Sequence, residues 1–333
     1  MHVSGRASSP IWIGWSAGVA CALAGSAAAA WLAVLHGYGG SALAGASTAL
    51  VVLVLPYFLL GTTDLASRLA TWMEVRRTRV LALLALPVLA YLLCASGAGA
   101  FTWIAIPALA GYVLLPLGLL LWAERSGRPP RLQDAFAVLA VWLPLEFGLL
   151  PEVWRSAAGE GAGVLTGVLG VDVAVILFVS IRRLDGVGYS FAIRPSDLRE
   201  AFWNLLMFCC IAIPIGRWSQ FIPPGHGVSS IPEFAVQFLG IFLGIAIPEE
   251  LLFRGLIQNL LQKLLPRTYA LLVAAVIFGL SHLNNGPFPD WRYVLLASIA
   301  GIFYGRAYQR SGGLMAACLV HAGVDTIWRE VFR

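Results

Sequence analysis

From residue 11 to residue 330 the sequence passes through one apolar stretch after another, most of them near the length that crosses a bilayer. A spanning helix needs about 20 such residues at a rise of ~1.5 Å each. In lipid each backbone N–H and C=O must be bonded inside the protein, so stretches of this length fold as helices packed against one another. Reading with a window of about 19 residues gives segments near 11–35, 41–61, 80–96, 102–122, 134–150, 162–181, 200–216, 232–257, 268–285, 292–309 and 313–330. The expected fold class is all-α, a polytopic transmembrane helical bundle of about 11 spans.

Composition excludes the other broad classes. With 59% hydrophobic and 12% charged residues, this is not a soluble domain. The net charge of +5 comes from arginine, Lys263 being the single lysine, and the basic residues lie in short loops beside apolar segments. That pattern reports membrane topology, with no nucleic-acid partner implied. Arg68, Arg76, Arg77 and Arg79 follow the second segment, Arg125, Arg128 and Arg131 the fourth, and Arg182, Arg183, Arg194 and Arg199 the sixth. The loops between hold almost none, which places the N-terminus in the cytoplasm of what reads as a bacterial plasma-membrane protein. An odd number of spans then leaves Arg329 and Arg333 outside, where they fit less well. Arg6 and the small residues Ala27 to Ala30 imitate a secretion signal, but the apolar run approaches 25 residues and favours an uncleaved first span.

Cys21, Cys94, Cys209, Cys210 and Cys318 all fall in apolar segments without metal-ligand spacing and read as packing residues. The stretch from Arg182 to Pro195 is the best boundary. It divides an N-terminal accessory bundle, residues 1–190 with about six spans, from a domain at 191–333 whose motifs lie at about 235–330.

Charge inside one late segment points to chemistry. Residues 248 to 254 read Pro-Glu-Glu-Leu-Leu-Phe-Arg within an apolar stretch from Ile231 to Leu265. Each charge at the centre of a spanning helix costs roughly 2.5 to 3.5 kcal/mol, so the trio must be offset. Glu250 and Arg254 stand four apart in the favoured order for a helical ion pair. Glu249, rotated by about 100°, lacks that partner and is a candidate general base. Pro248 cannot bond the carbonyl of Gly244, so a kink is expected just before the carboxylates.

Phe278 and His282 share a face of the next segment. If the two segments turn near Pro266, Glu249 lies about 17 residues before the turn and His282 about 16 after it, so their depths match within a few Å. In the last segment His321 and Asp325 are again four apart, suited to a hydrogen-bonded pair, a metal-ligand pair or donors around an oxyanion. Arg329 continues that face and offers Asp325 an alternative ion pair.

Glu-Glu-x-x-x-Arg at Glu249, Glu250 and Arg254, Phe-x-x-x-His at Phe278 and His282, and His-x-x-x-Asp at His321 and Asp325 together resemble the three motifs of the CPBP family. That family includes the type II CaaX prenyl endopeptidases and the bacterial Abi-type immunity and processing proteins. The resemblance implies intramembrane peptide hydrolysis, with Glu249 and His282 activating water and His321 and Asp325 stabilising the oxyanion; the metal-free form of that mechanism, with no required cofactor, is the expected one. It implies a membrane-embedded or lipid-anchored peptide or protein substrate, reached through the lipid bilayer. Phe278, Glu250, Arg254 and Pro248 would support the site.

The prenyl endopeptidases carry asparagine at the last position, whose amide can donate; an ionised Asp325 only accepts. Asp325 must then be protonated, orient His321 or bind a metal. Zinc held by Glu249, His282, His321 and Asp325 is the alternative mechanism, although no His-Glu-x-x-His occurs. Leu184-Asp185-Gly186 reads as a turn. Glu146 and Asp172 also interrupt apolar segments, at depths too different for direct pairing. They sustain the rival readings of a proton-coupled transporter or a catalytically silent immunity scaffold.

Overall fold

A computed structural model describes residues 11–35, 37–225, 227 and 230–332. Among them there is no strand, and the chain divides into two compact units, 1–122 with 139–183, and 123–138 with 184–333.

The first unit contains α1 (Ile11–Leu35), α2 (Gly40–Thr62), the short α3 (Leu65–Val75), α4 (Ala85–Ala98) and most of α5 (Ala105–Ser126). The later part of α6 (Leu132–Glu146), α7 (Leu149–Ala158) and α8 (Ala162–Val175) complete it. Small residues set its helix contacts: a Cβ built on Gly45 of α2 would stand 2.9 Å from the Cα of Gly97 in α4. At Gly14 of α1 a Cβ would stand 2.5 Å from the Thr62 carbonyl oxygen, so the first apolar segment packs as part of the unit. Glu146 accepts a hydrogen bond from Trp142 Nε1 at 3.0 Å. Asp172 is fully buried in α8, and neither of its carboxylate oxygens has a hydrogen-bond partner. The two acids do not pair.

The second unit is built from α9 (Pro195–Trp218), the long α10 (Ile231–Gln262), α11 (Arg267–Leu280), α12 (Trp291–Ser311) and α13 (Leu314–Ile327), the last running into a π-helical turn at Trp328–Phe332. Pro248 does not break α10. The helix widens into π-helical turns at Phe242–Ala246 and Leu251–Gln258, on either side of the proline and the two glutamates. Such turns re-register the backbone bonds around a missing N–H.

Among the described residues seven helices are long and apolar enough to cross a membrane, or eight if the pair α6 and α7, bent by 44°, is one span. This is fewer than the expected eleven. α11 is only 14 residues long, α13 has 14 before its π turn, and α12 carries Arg292, Arg306 and Arg310. The apolar windows at 268–285 and 313–330 extend beyond the ends of α11 and α13, so these segments are longer in the sequence than their helices are in the structure.

The five cysteines are free thiols. Asp185 and Gly186 form a turn, and their carbonyls accept hydrogen bonds from Asn259 and Tyr308 of the second unit. The contact between α11 and α12 is the tightest in this unit: a Cβ on Gly279 would collide with the Ser298 side chain and stand 2.7 Å from the Val294 carbonyl oxygen. Gly279→Val is therefore expected to cost about 1 to 3 kcal/mol by overpacking. Thermal unfolding of the purified variant in detergent checks this.

Candidate active site

Three polar residues of α10 lie along one stripe, Glu250, Arg254 and Gln258, at successive four-residue steps. All three are buried. Arg254 and Gln258 dock on α12 where glycines leave no side chain in the way. Arg254 Nη2 donates to the Gly301 carbonyl at 3.2 Å, and Gln258 Nε2 donates to the Gly305 carbonyl at 3.2 Å. Glycine at both positions lets Arg254 and Gln258 reach the α12 backbone and satisfies N–H groups that would otherwise be stranded, while Gln258 Oε1 has no hydrogen-bond partner.

Arg254 also donates through Nη1 to Glu250 Oε1 at 3.1 Å, forming the ion pair that the four-residue spacing suggested. Its guanidinium lies over three rings, 4.5 Å from the centroid of Phe278, 5.1 Å from Tyr304 and 5.9 Å from Phe253. A buried cation thus has a carboxylate, a carbonyl and π faces around it.

Glu250 has a second partner that spacing alone could not show. His321 Nδ1 lies 2.7 Å from the same Oε1, so the ring donates to it and is pinned on that side. Tyr304 stacks on the imidazole at 4.7 Å with an interplanar angle of 17°, and Phe278 meets it edge-on at 5.9 Å. Held this way, His321 presents Nε2 to two carboxylates, 3.8 Å from Glu249 Oε2 and 3.8 Å from Asp325 Oδ2. Among the described residues the ionic contact of Asp325 is with His321, not Arg329. Glu249 Oε2 has no hydrogen-bond partner.

His282 lies in the turn just past α11. Its Nδ1 is 2.8 Å from the Phe278 carbonyl oxygen, to which it donates, leaving Nε2 with a free lone pair. The ring sits between Phe278, at 4.7 Å, and Tyr293, at 5.0 Å.

Glu249, His282, His321 and Asp325 all line one cavity of about 290 Å³ in the second unit. Phe278 and Tyr304 form part of its wall, and Phe208, Phe221, Trp328 and Phe332 extend the lining as an aromatic gallery. Zinc would need three or more of the four polar side chains turned to a common point. Among the described residues no group of three or more His, Cys, Asp and Glu is so arranged. The donor set does not fit the metal as it stands.

Residues 231–327 match the family model of the type II CAAX prenyl endopeptidase, Rce1-like. The Rce1-like segment starts at the first residue of α10 and ends at the last of α13, under a third of the chain. It holds the four polar cavity residues and the Glu250–Arg254–Gln258 stripe; α9 and the turn carrying Trp328, Arg329 and Phe332 line the same cavity from outside it. Neither a curated protein nor a solved structure matches the chain. With its long apolar helices, the Rce1-like match makes this an integral membrane protein.

Sequence reasoning missed Tyr304, Gln258 and the pairing of His321 with Glu250. Tyr304 stands three residues after Gly301, so small-then-aromatic spacing on one face of α12 was the available signal.

Proposed function

We propose that this protein is an intramembrane endopeptidase that hydrolyses a peptide bond in a membrane-embedded or lipid-anchored substrate, with Glu249 as general base. One observation carries the reading: four titratable side chains from α10, the turn after α11, and α13 line a single cavity, inside the segment that matches the endopeptidase family. Isolated ionisable groups in an apolar bundle are costly, and their gathering at one cavity is what a reaction centre requires.

In this mechanism Glu249 and the free Nε2 of His282 hold a water and orient it toward the scissile carbonyl carbon. As the water oxygen attacks, Glu249 takes its proton and a tetrahedral oxyanion forms. His321, with Nδ1–H on Glu250, carries a proton on Nε2 as well and donates it in a hydrogen bond to the oxyanion. Collapse breaks the C–N bond, and the proton held by Glu249 passes to the departing amine. Phe278, Tyr304, Glu250 and Arg254 fix the plane of His321, and the π turns flanking Pro248 aim Glu249 at the cavity.

Asp325 has a role in this scheme that does not require it to donate. Its 3.8 Å contact with His321 Nε2 supports an orienting carboxylate that also favours the imidazolium. Asp325→Asn removes that charge but leaves an amide able to donate to the oxyanion, so cleavage is expected to fall by no more than about tenfold. A strong chelator should leave the wild-type rate unchanged. Peptide cleavage by purified protein in detergent, with and without chelator, tests this; loss on chelation with recovery by zinc, and an inactive Asp325→Asn, would select the metal mechanism.

A further inference from the structure

The two ends of the second unit carry different charge. At one end the segment 184–194, the turn between α10 and α11 and the turn between α12 and α13 are tied together. Arg194 Nη2 donates to the Ser311 carbonyl at 2.8 Å, Gln309 Nε2 to the Arg267 carbonyl at 2.9 Å, Asn259 Nδ2 to the Asp185 carbonyl at 2.8 Å and the Leu314 N–H to the Gly188 carbonyl at 3.3 Å. Arg194, Arg199, Lys263, Arg267, Arg306 and Arg310 gather within two helical turns of this end.

The other end joins residues 219–225, 281–292 and 328–332. Phe221 packs between Tyr293, at 5.2 Å, and Trp328, at 5.1 Å. A Cβ on Gly225 would stand 3.2 Å from the Val331 carbonyl oxygen. The described cations here are Arg217, Arg292 and Arg329. Arg217 is turned onto the Ile222 carbonyl at 2.9 Å, and Arg292 faces Asp290 at 3.4 Å. The ends lie apart by the length of α9, 24 residues or ~36 Å.

In short loops beside spans, Lys and Arg are retained on the cytoplasmic side, while acids contribute little to orientation. The end with Arg194, Arg199, Lys263, Arg267, Arg306 and Arg310 is the more basic one by its cations, with Arg194 paired to Asp197 and Arg199 and Arg310 near Glu200. Its first two arginines also belong to the series of basic loops that alternates along the whole sequence. The cavity lies toward the opposite end: it runs from Glu249 and His321 to Asn285 and Arg329, both exposed.

We propose that the basic end of the second unit faces the cytoplasm and that the cavity opens on the outer face of the membrane, so that its substrate is a peptide segment presented from the outer side. The orientation stands on charge placement alone; the word substrate rests on the protease reading above. A tail anchored only in the cytoplasmic leaflet does not reach a cavity so oriented.

The test uses the full chain in the plasma membrane of bacterial cells whose outer layer is open to small reagents. Asn284→Cys, exposed beside the cavity mouth, and Thr268→Cys, exposed at the basic end, are treated with a membrane-impermeant maleimide before and after cell disruption. Labelling is read residue by residue by mass spectrometry, which separates the new thiols from the five native ones. The expected result is reaction of Asn284→Cys in intact cells and of Thr268→Cys only after disruption. Reaction of Thr268→Cys in intact cells, or of Asn284→Cys only after disruption or only in denaturant, overturns the proposal. Because labelling does not involve cleavage, an inactive chain labelled at 284 from outside refutes the protease and keeps the orientation, and an active one labelled only from inside does the reverse.

Discussion

Arg254→Ala is expected to destabilise the protein by about 3 to 5 kcal/mol, because it strands a buried carboxylate whose charge has been offset. Arg254 is 1% exposed and Glu250 is fully buried. The substitution removes the hydrogen bonds to Glu250 and to the Gly301 carbonyl together with the stacking on Phe278 and Tyr304. Glu250 Oε2 already lacks a partner, so His321 would be left as the sole neighbour able to answer the charge. Arg254→Lys keeps the charge but cannot fork to both acceptors, and should fall between wild type and alanine. Unfolding of the purified proteins in detergent reads the order directly. A loss below about 1 kcal/mol for alanine would reduce the pair to the worth of a surface contact.

Glu249→Gln is expected to lower peptide cleavage by about 10²- to 10⁴-fold, the range that a general base contributes. Stability should hardly change, since Glu249 Oε2 makes no hydrogen bond that the amide would lose and the two side chains are nearly the same size. That combination separates a chemical role from a structural one. It also contrasts with Arg254→Ala, where cleavage falls because the fold beneath the cavity is weakened.

Much of this architecture was legible in the sequence for a simple reason. Lipid forces backbone bonds into helices, and four-residue spacing then dictates which side chains share a face. Glu250 with Arg254, Phe278 with His282 and His321 with Asp325 are all pairs of this kind, and each is seen as a contact. What spacing within one helix cannot show is which helices meet. The bond between His321 and Glu250 joins residues 71 apart, and those from Arg254 and Gln258 to the Gly301 and Gly305 carbonyls span 47. Tyr304 carries no charge, and its spacing from Gly301 on one face of α12 is a weaker mark than a buried acid or base; the stack on His321 gives it a role. Fewer helices than the eleven apolar segments pass by length and composition as spans, because hydropathy windows read through the turns that end α11 and α13. Pro248 was expected to kink α10, and π-helical turns flank it on both sides.

The central claim is hydrolysis by a water that Glu249 activates, and cleavage of a peptide in water enriched in heavy oxygen tests it most directly. Purified wild-type protein and Glu249→Gln are incubated in detergent with the same peptide, and the products are weighed by mass spectrometry. The expected result is a new carboxyl terminus carrying a heavy oxygen atom from solvent with the wild type, and almost none of that product with Glu249→Gln. Heavy-oxygen product formed at the wild-type rate by a correctly folded Glu249→Gln would contradict the account.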